Sequence, residues 1–302
     1  MTSSPIHNSP LRSADWLRIV VLAAIWGASF LFLRVAAPVL GPAPTAISRL
    51  FIGGAALALW VQWREGGIEW RAHWRSYAAL GLLNSGAPFL LFSLAAQRLP
   101  ASYLILLNAT TPLFGALLSA ISLGERLRVI QVASLAAGLL GVAIVAGLGP
   151  LDIGVPELVA IACGLGAAFC YALATLRIRR SALTSSPNTQ AAMSQLAAGI
   201  LMLPLLALAP IPAPSTLPLN VILAALALGL LCSGLAYMIY FRLVVDVGPS
   251  RTLTVTFLSP PFGIAWGALV LGESITWQML LGTALVLCGT FGILGTRKSA
   301  TQ

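Results

Sequence analysis

Three sets of residues could do chemistry in this chain, because each places a polar group next to long apolar sequence. Glu125 and Glu273 both follow a Leu-Gly pair at the end of an apolar run. An ionisable group held in hydrocarbon is costly and usually functional, so these could be proton-coupling carboxylates. They also fit a structural role, in which Gly ends a helix and Glu meets water or the N-terminus of the next one. Arg49 lies about five residues into another apolar run. A guanidinium there could hold a carboxylate or phosphate in a bidentate fork. It could instead snorkel to the interface or pair with a helix C-terminus. The third set surrounds Pro112 and Pro260, each of which removes a backbone hydrogen bond inside a run. Their neighbours Asn108, Thr111 and Ser259 could bind a ligand or simply stabilise a kink. Ser29 and Asn84 add further hydrogen-bonding groups, and Trp26, Phe30, Tyr103, Tyr171, Tyr237 and Trp266 could wall a cavity for an amphiphilic ligand.

The elements that must position these residues follow from composition. Of 302 residues 59% are hydrophobic and 8% charged, and the mean hydropathy is +0.95. A soluble domain carries about a quarter charged residues, so too little charge is present to cover a water-facing surface. Apolar runs about 20 residues long, enough to cross roughly 30 Å of hydrocarbon as helices, fall near 16–38, 44–62, 76–97, 101–122, 128–148, 157–177, 189–209, 219–242, 250–271 and 276–295. The first has no clear small-x-small cleavage site before Arg34 and reads as a retained span.

The formal net charge of +9 does not point to nucleic acid, because the cations are segregated. With the N-terminus in the cytoplasm, 14 of the 17 Lys and Arg fall on the inner side, while Arg98 and Arg34 lie on the outer. That positive-inside bias puts both termini in the cytoplasm of a bacterial-type inner membrane. The four cysteines lie inside apolar runs without a C-x-x-C pair, and both histidines, His7 and His73, lie outside the runs. An intramembrane metal site or a histidine-dependent enzyme therefore lacks its usual residues, and no cofactor is implied.

The Glu and Pro pairs recur at a fixed distance. Sliding the sequence by 148 positions aligns 79–144 with 227–292 without a gap, with 18 identities in 66 positions. The densest match sets Ala79-Leu80-Gly81-Leu82-Leu83-x-Ser85-Gly86 on Ala227-Leu228-Gly229-Leu230-Leu231-x-Ser233-Gly234. This is an internal repeat of five spans, 16–148 followed by 157–296. Five is odd, so the second half enters the membrane from the opposite side, and Glu125 and Glu273 fall on opposite faces. The expected fold is an all-α integral membrane protein of ten transmembrane helices in a 5+5 inverted repeat, an arrangement associated with alternating access.

Ile25-Trp26-Gly27-Ala28-Ser29-Phe30, Arg49, Thr111-Pro112-Leu113-Phe114, Leu123-Gly124-Glu125-Arg126, Ser259-Pro260 and Leu271-Gly272-Glu273 together resemble the drug/metabolite transporter superfamily, in the subgroup with two EamA-type domains. The resemblance covers about 16 to 296. It implies a transporter of small metabolites, often amino acids or drug-like compounds, with a central cavity lined by both halves. The chain departs from the pattern at Ser274, in the place of Arg126, and at Leu165, in the place of Trp26. The expected partners are a small-molecule substrate and the lipid bilayer. Proton coupling and exchange both stay open, as do monomer and homodimer, and a non-transporting scaffold or receptor is the competing class.

Overall fold

The computed structural model describes residues 12–67, 70–123, 127–148, 154–180, 185–208 and 212–297. Among them it is helical, with no strand. Ten segments follow the apolar runs: α1 Ser13–Leu40, α2 Pro42–Glu65, α3 His73–Ala95, α4 Ala101–Ser122, α5 Val129–Leu148, α6 Val155–Arg180, α7 Pro187–Leu208, α8 Leu219–Val247, α9 Thr254–Leu271 and α10 Trp277–Arg297. Nine are long and apolar enough, over the described residues, to cross a membrane, and α10 supplies the shorter apolar stretch Trp277–Ile293. The chain is a ten-span membrane protein of two five-helix halves.

Two of the turns depend on glycine. Gly41 and Gly248 take φ of +88° and +85°, where a side chain would be strained, and each is followed by a Pro that opens the next helical segment. Gly allows the reversal and Pro arrives with a helical φ already set.

The helices are not uniform. α3 and α8 each pass through a π-helical segment, Leu82–Gly86 and Leu230–Leu235, formed by the two copies of the densest repeat match. Such segments widen a helix by one residue per turn and occur often at functional sites. α4 is broken at Ala109 and Thr110, just before Pro112, and Thr290 of α10 donates to the freed carbonyl of Ala109 at 3.1 Å. α9 carries Pro260 and Pro261 within the helix.

Packing joins the halves twice. At the centre α1 lies on α9, α2 on α7 and α8, and α3 on α6 and α7. At one edge α5 and α10 run against each other through small residues. A Cβ on Gly141 would lie 2.5 Å from the carbonyl oxygen of Gly282, and one on Gly282 would lie 2.6 Å from that of Gly141. Lipid tails are as apolar as leucine, so such contact between backbones, not hydrophobicity, is what holds helices together in a bilayer. Gly282→Val should therefore cost about 1–3 kcal/mol by overpacking and lower the yield of monodisperse protein. Size-exclusion chromatography in detergent checks this against Gly115→Val, a position where an added Cβ meets nothing within 4 Å.

Candidate functional site

Arg49 is the charge around which the interior is organised. It faces inward from α2 and is only 8% exposed, so it does not snorkel. Its Nε donates to Ser233 Oγ at 2.9 Å, and its guanidinium carbon lies 3.8 Å from the centre of the Phe89 ring. These contacts fix one edge and one face of the group. Its terminal nitrogens make no hydrogen bond and meet no carboxylate among the described residues. Tyr171, Tyr237 and Cys232 lie within electrostatic reach of the same cation. An unneutralised guanidinium with its fork open is chemically suited to an anionic oxygen pair.

Residues from both halves meet here. Phe89 and Ser233 flank Arg49 from α3 and α8, Tyr171 comes from α6 and Tyr237 from α8. Tyr237 lies beside Asn84 and Ser85 in the first π-helical segment. Trp26 of α1 sets its ring centre 5.5 Å from that of Tyr240, tilted, and 6.4 Å from that of Tyr237, edge to face, and Ser29, one turn on, lies beside Cys232. Trp26, Ser29, Arg49, Asn84, Tyr171 and Tyr237 are thus the sequence candidates that the fold gathers.

Three further residues complete the polar centre, and none was singled out from sequence as a ligand-facing group. Ser233 holds Arg49. Ser85 is its counterpart in the repeat, and Gln195 projects from α7. A Cβ on Gly53 would lie 2.6 Å from Ser233 Cβ and 2.8 Å from Gln195 Oε1, so glycine one turn after Arg49 is what lets α7 and α8 close over the site.

The remaining candidates are engaged elsewhere. Phe30 packs on Phe92, ring centres 5.2 Å apart, in the main apolar core. Tyr103 donates to Val145 O at 3.3 Å, tying α4 to α5, and Trp266 Nε1 donates to Ala24 O at 3.0 Å, tying α9 to α1. Thr111 donates to Asn108 O at 2.7 Å and Ser259 to Val255 O at 2.8 Å, so these hydroxyls serve their own kinked helices beside Pro112 and Pro260. Asn108 is half-buried at the α4 break. Glu125 lies outside the described residues.

Glu273 sits at one end of the helix bundle and caps a helix. Its carboxylate accepts from Ala101 N at 2.7 Å, Ser102 N at 3.1 Å and Ser102 Oγ at 2.6 Å. Negative charge on the open N–H groups at the start of α4 is favourable, and here it links the second half to the first. Beside it opens a surface cavity of about 640 Å³ edged by Arg34, Gln97, Asn220 and Glu273, separate from the Arg49 centre. At the opposite end Arg18 of α1 pairs with Asp246 of α8 at 2.8 Å, with Arg242 on the same carboxylate at 2.9 Å.

A family model for EamA-like transporters matches this chain twice, over residues 16–147 and 158–295. The chain belongs to the EamA-like transporter family. It is therefore a transporter of the drug/metabolite transporter superfamily, with one family unit in each half. Similar proteins include the uncharacterised transporter YoaV of Bacillus subtilis, 24% identical over 91% of this chain and 94% of that one. A probable terminal-alkyne amino-acid exporter of Streptantibioticus cattleyicolor is 28% identical over 96% and 98%. The threonine/homoserine exporter RhtA of Escherichia coli K12 is 27% identical over 94% of each chain. A solved crystal structure that is 20% identical superposes with a TM-score of 0.65 over 97% of this chain and 100% of that one, which shows that the two share a fold.

Two outcomes follow for this transporter. Gly53→Ala pushes a methyl into Ser233 and Gln195, and its melting temperature in detergent should fall by the equivalent of about 1–3 kcal/mol, while Gly115→Ala leaves it unchanged. Glu273→Ala should cost about 1–2 kcal/mol by uncapping α4, with Ser102→Ala giving a smaller loss of the same sign in the same thermal assay.

Proposed function

We propose that this EamA transporter exports small carboxylate-bearing metabolites, amino acids and their relatives among them, by rocking one half against the other around Arg49. The observation that carries this reading is the buried guanidinium held by Ser233 and Phe89, with its fork open and no acidic partner among the described residues. A cation in a low-dielectric interior needs compensating charge, and a substrate carboxylate supplies it. The aromatic groups of Trp26, Tyr171 and Tyr237 suit the apolar body of such a substrate. The exporters among the relatives are named for amino acids, which carry that carboxylate.

Export by exchange or facilitation fits the interior better than a proton relay. No Asp or Glu lies in the middle of a span, and Glu273 is engaged as a helix cap. The cation distribution supports a topology with both termini in the cytoplasm. A scaffold or receptor reading has no residue arrangement of its own in its favour.

Counterflow in proteoliposomes tests the proposal: vesicles loaded with mixed amino acids and small organic acids are followed by mass spectrometry, with and without a pH gradient. Exchange of carboxylates is expected, independent of the gradient. Arg49→Lys should lower the exchange rate at least about tenfold, because an ammonium can neither fork a carboxylate nor stack on Phe89. Full activity in Arg49→Lys or Arg49→Ala protein, properly folded, would remove Arg49 from the site.

A further inference from the structure

The polar centre contains a second contact that is not made. α2 and α7 share a pattern at an offset of 146: Ser48-Arg49-Leu50-x-x-Gly53 is matched by Ser194-Gln195-Leu196-x-x-Gly199. Gln195 is therefore the repeat counterpart of Arg49, as Ser85 is of Ser233. Packing confirms the register. A Cβ on Gly229 would overlap Ile52, and one on Gly81 would overlap the Ser194 carbonyl and lie 3.2 Å from Ala198 Cβ, where Ile52 and Ala198 correspond at the same offset. Likewise a Cβ on Gly234 would lie 3.4 Å from Ala56 Cβ, and one on Gly86 3.0 Å from Met202 Sδ.

Within this matched frame one polar pair is formed and the other is not. Arg49 donates to Ser233 at 2.9 Å. The counterparts Gln195 and Ser85 are 0% and 1% exposed. Among the described residues Gln195 Oε1 and Nε2 and Ser85 Oγ complete no hydrogen bond of good geometry, although the Tyr237 side chain lies beside Ser85. Buried amide and hydroxyl groups without partners are rare in native proteins and costly. Nor does open space reach them: these atoms are enclosed by protein, so a diffusing ligand cannot satisfy them in this conformation. A shift of the helices that carry them can.

We infer that Gln195 and Ser85 are a transport-determining pair, whose hydrogen bond forms in the oppositely facing state as the Arg49–Ser233 bond opens. Inverted halves that exchange conformations exchange their internal contacts too, so the contact absent from one half here is the one present there. The inference rests on the alternating-access reading given above and adds residues to it. It assigns to Gln195 and Ser85 a positioning role, setting which way the site faces. Ser85 and Ser233 each lie in a π-helical segment, Leu82–Gly86 and Leu230–Leu235, a backbone form that occurs often at functional sites.

The test uses the full chain in nanodiscs, with hydrogen–deuterium exchange followed by mass spectrometry on outer-end peptides around 34–45, 97–102 and 214–221 and on inner-end peptides around 242–252. Ser233→Ala weakens only the present state, and Gln195→Leu only the opposite one. The ratio of outer to inner uptake should move in opposite directions in the two variants, each by about fivefold in population, the shift that one ordinary hydrogen bond commands. Ser85→Ala, a smaller change that keeps the fold, should match Gln195→Leu in sign and size, and the double variant should move no further than either alone. Shifts of the same sign in Ser233→Ala and Ser85→Ala, or no shift in Ser85→Ala, would overturn the inference. Counterflow on the same preparations separates the two failures: wild-type protein that exchanges carboxylates while its variants move alike keeps the transport reading and loses the pair, and wild-type protein that exchanges nothing loses both.

Discussion

In hydrocarbon no water stands by to take up a freed backbone group, and the rest of this structure depends on that constraint. A regular helix satisfies it alone, but a transporter needs helices that bend. Several backbone carbonyls here are accordingly covered by side chains from neighbouring helices, while Thr111 and Ser259 cover carbonyls of their own kinked helices. Thr290 takes the carbonyl released at the α4 break, Arg34 donates to Ala96 O where α3 ends, and Trp266 and Cys232 reach carbonyls of α1. The side chains that look most like cavity lining by type are in several cases the ones that make bending tolerable.

The same constraint explains the division between rigid and adjustable parts. Where α5 meets α10, glycine brings backbone to backbone and leaves no rotamer to change. Around Arg49 the contacts pass through longer side chains, an arginine, a glutamine and tyrosines, whose partners can be exchanged without breaking a helix. The ends are tied differently again, by a carboxylate on a helix N-terminus at one end and by an arginine–aspartate pair at the other. Both ties join the two halves, so neither end can open without releasing a charged group to water.

Much of this was legible in the sequence, and what escaped did so for physical reasons. Ten spans and the repeat follow from run length and from the Pro and Leu-Gly-Glu pairs, because hydrocarbon thickness and repeat symmetry leave direct marks on a chain. Arg49 stood out since a charge inside an apolar run has few explanations. Gln195, Ser85 and Ser233 did not, because neutral polar residues inside a span are as often kink supports as site residues. The signal that identifies Gln195 is its match to Arg49, which lies at an offset of 146, whereas the stronger match of the later spans lies at 148. A single ungapped comparison therefore passes over it. Tyr103 and Trp266 show the opposite limit. Their types suit a cavity wall, but only the packing of α4 on α5 and α9 on α1 shows that their polar atoms are taken by carbonyls.

The Arg49 cation has an electrical meaning as well. On the proposed reading a monoanionic carboxylate on Arg49 makes the site neutral, and the membrane voltage does no work on that loaded carrier as it turns, whereas a zwitterionic amino acid leaves the net charge of the site unchanged. Without the anion the site carries a unit positive charge, which an inside-negative potential draws toward the cytoplasmic face, at up to about 2.3 kcal/mol for each 100 mV crossed. The empty carrier would then be returned by the cell's own voltage to the side where the next anion waits.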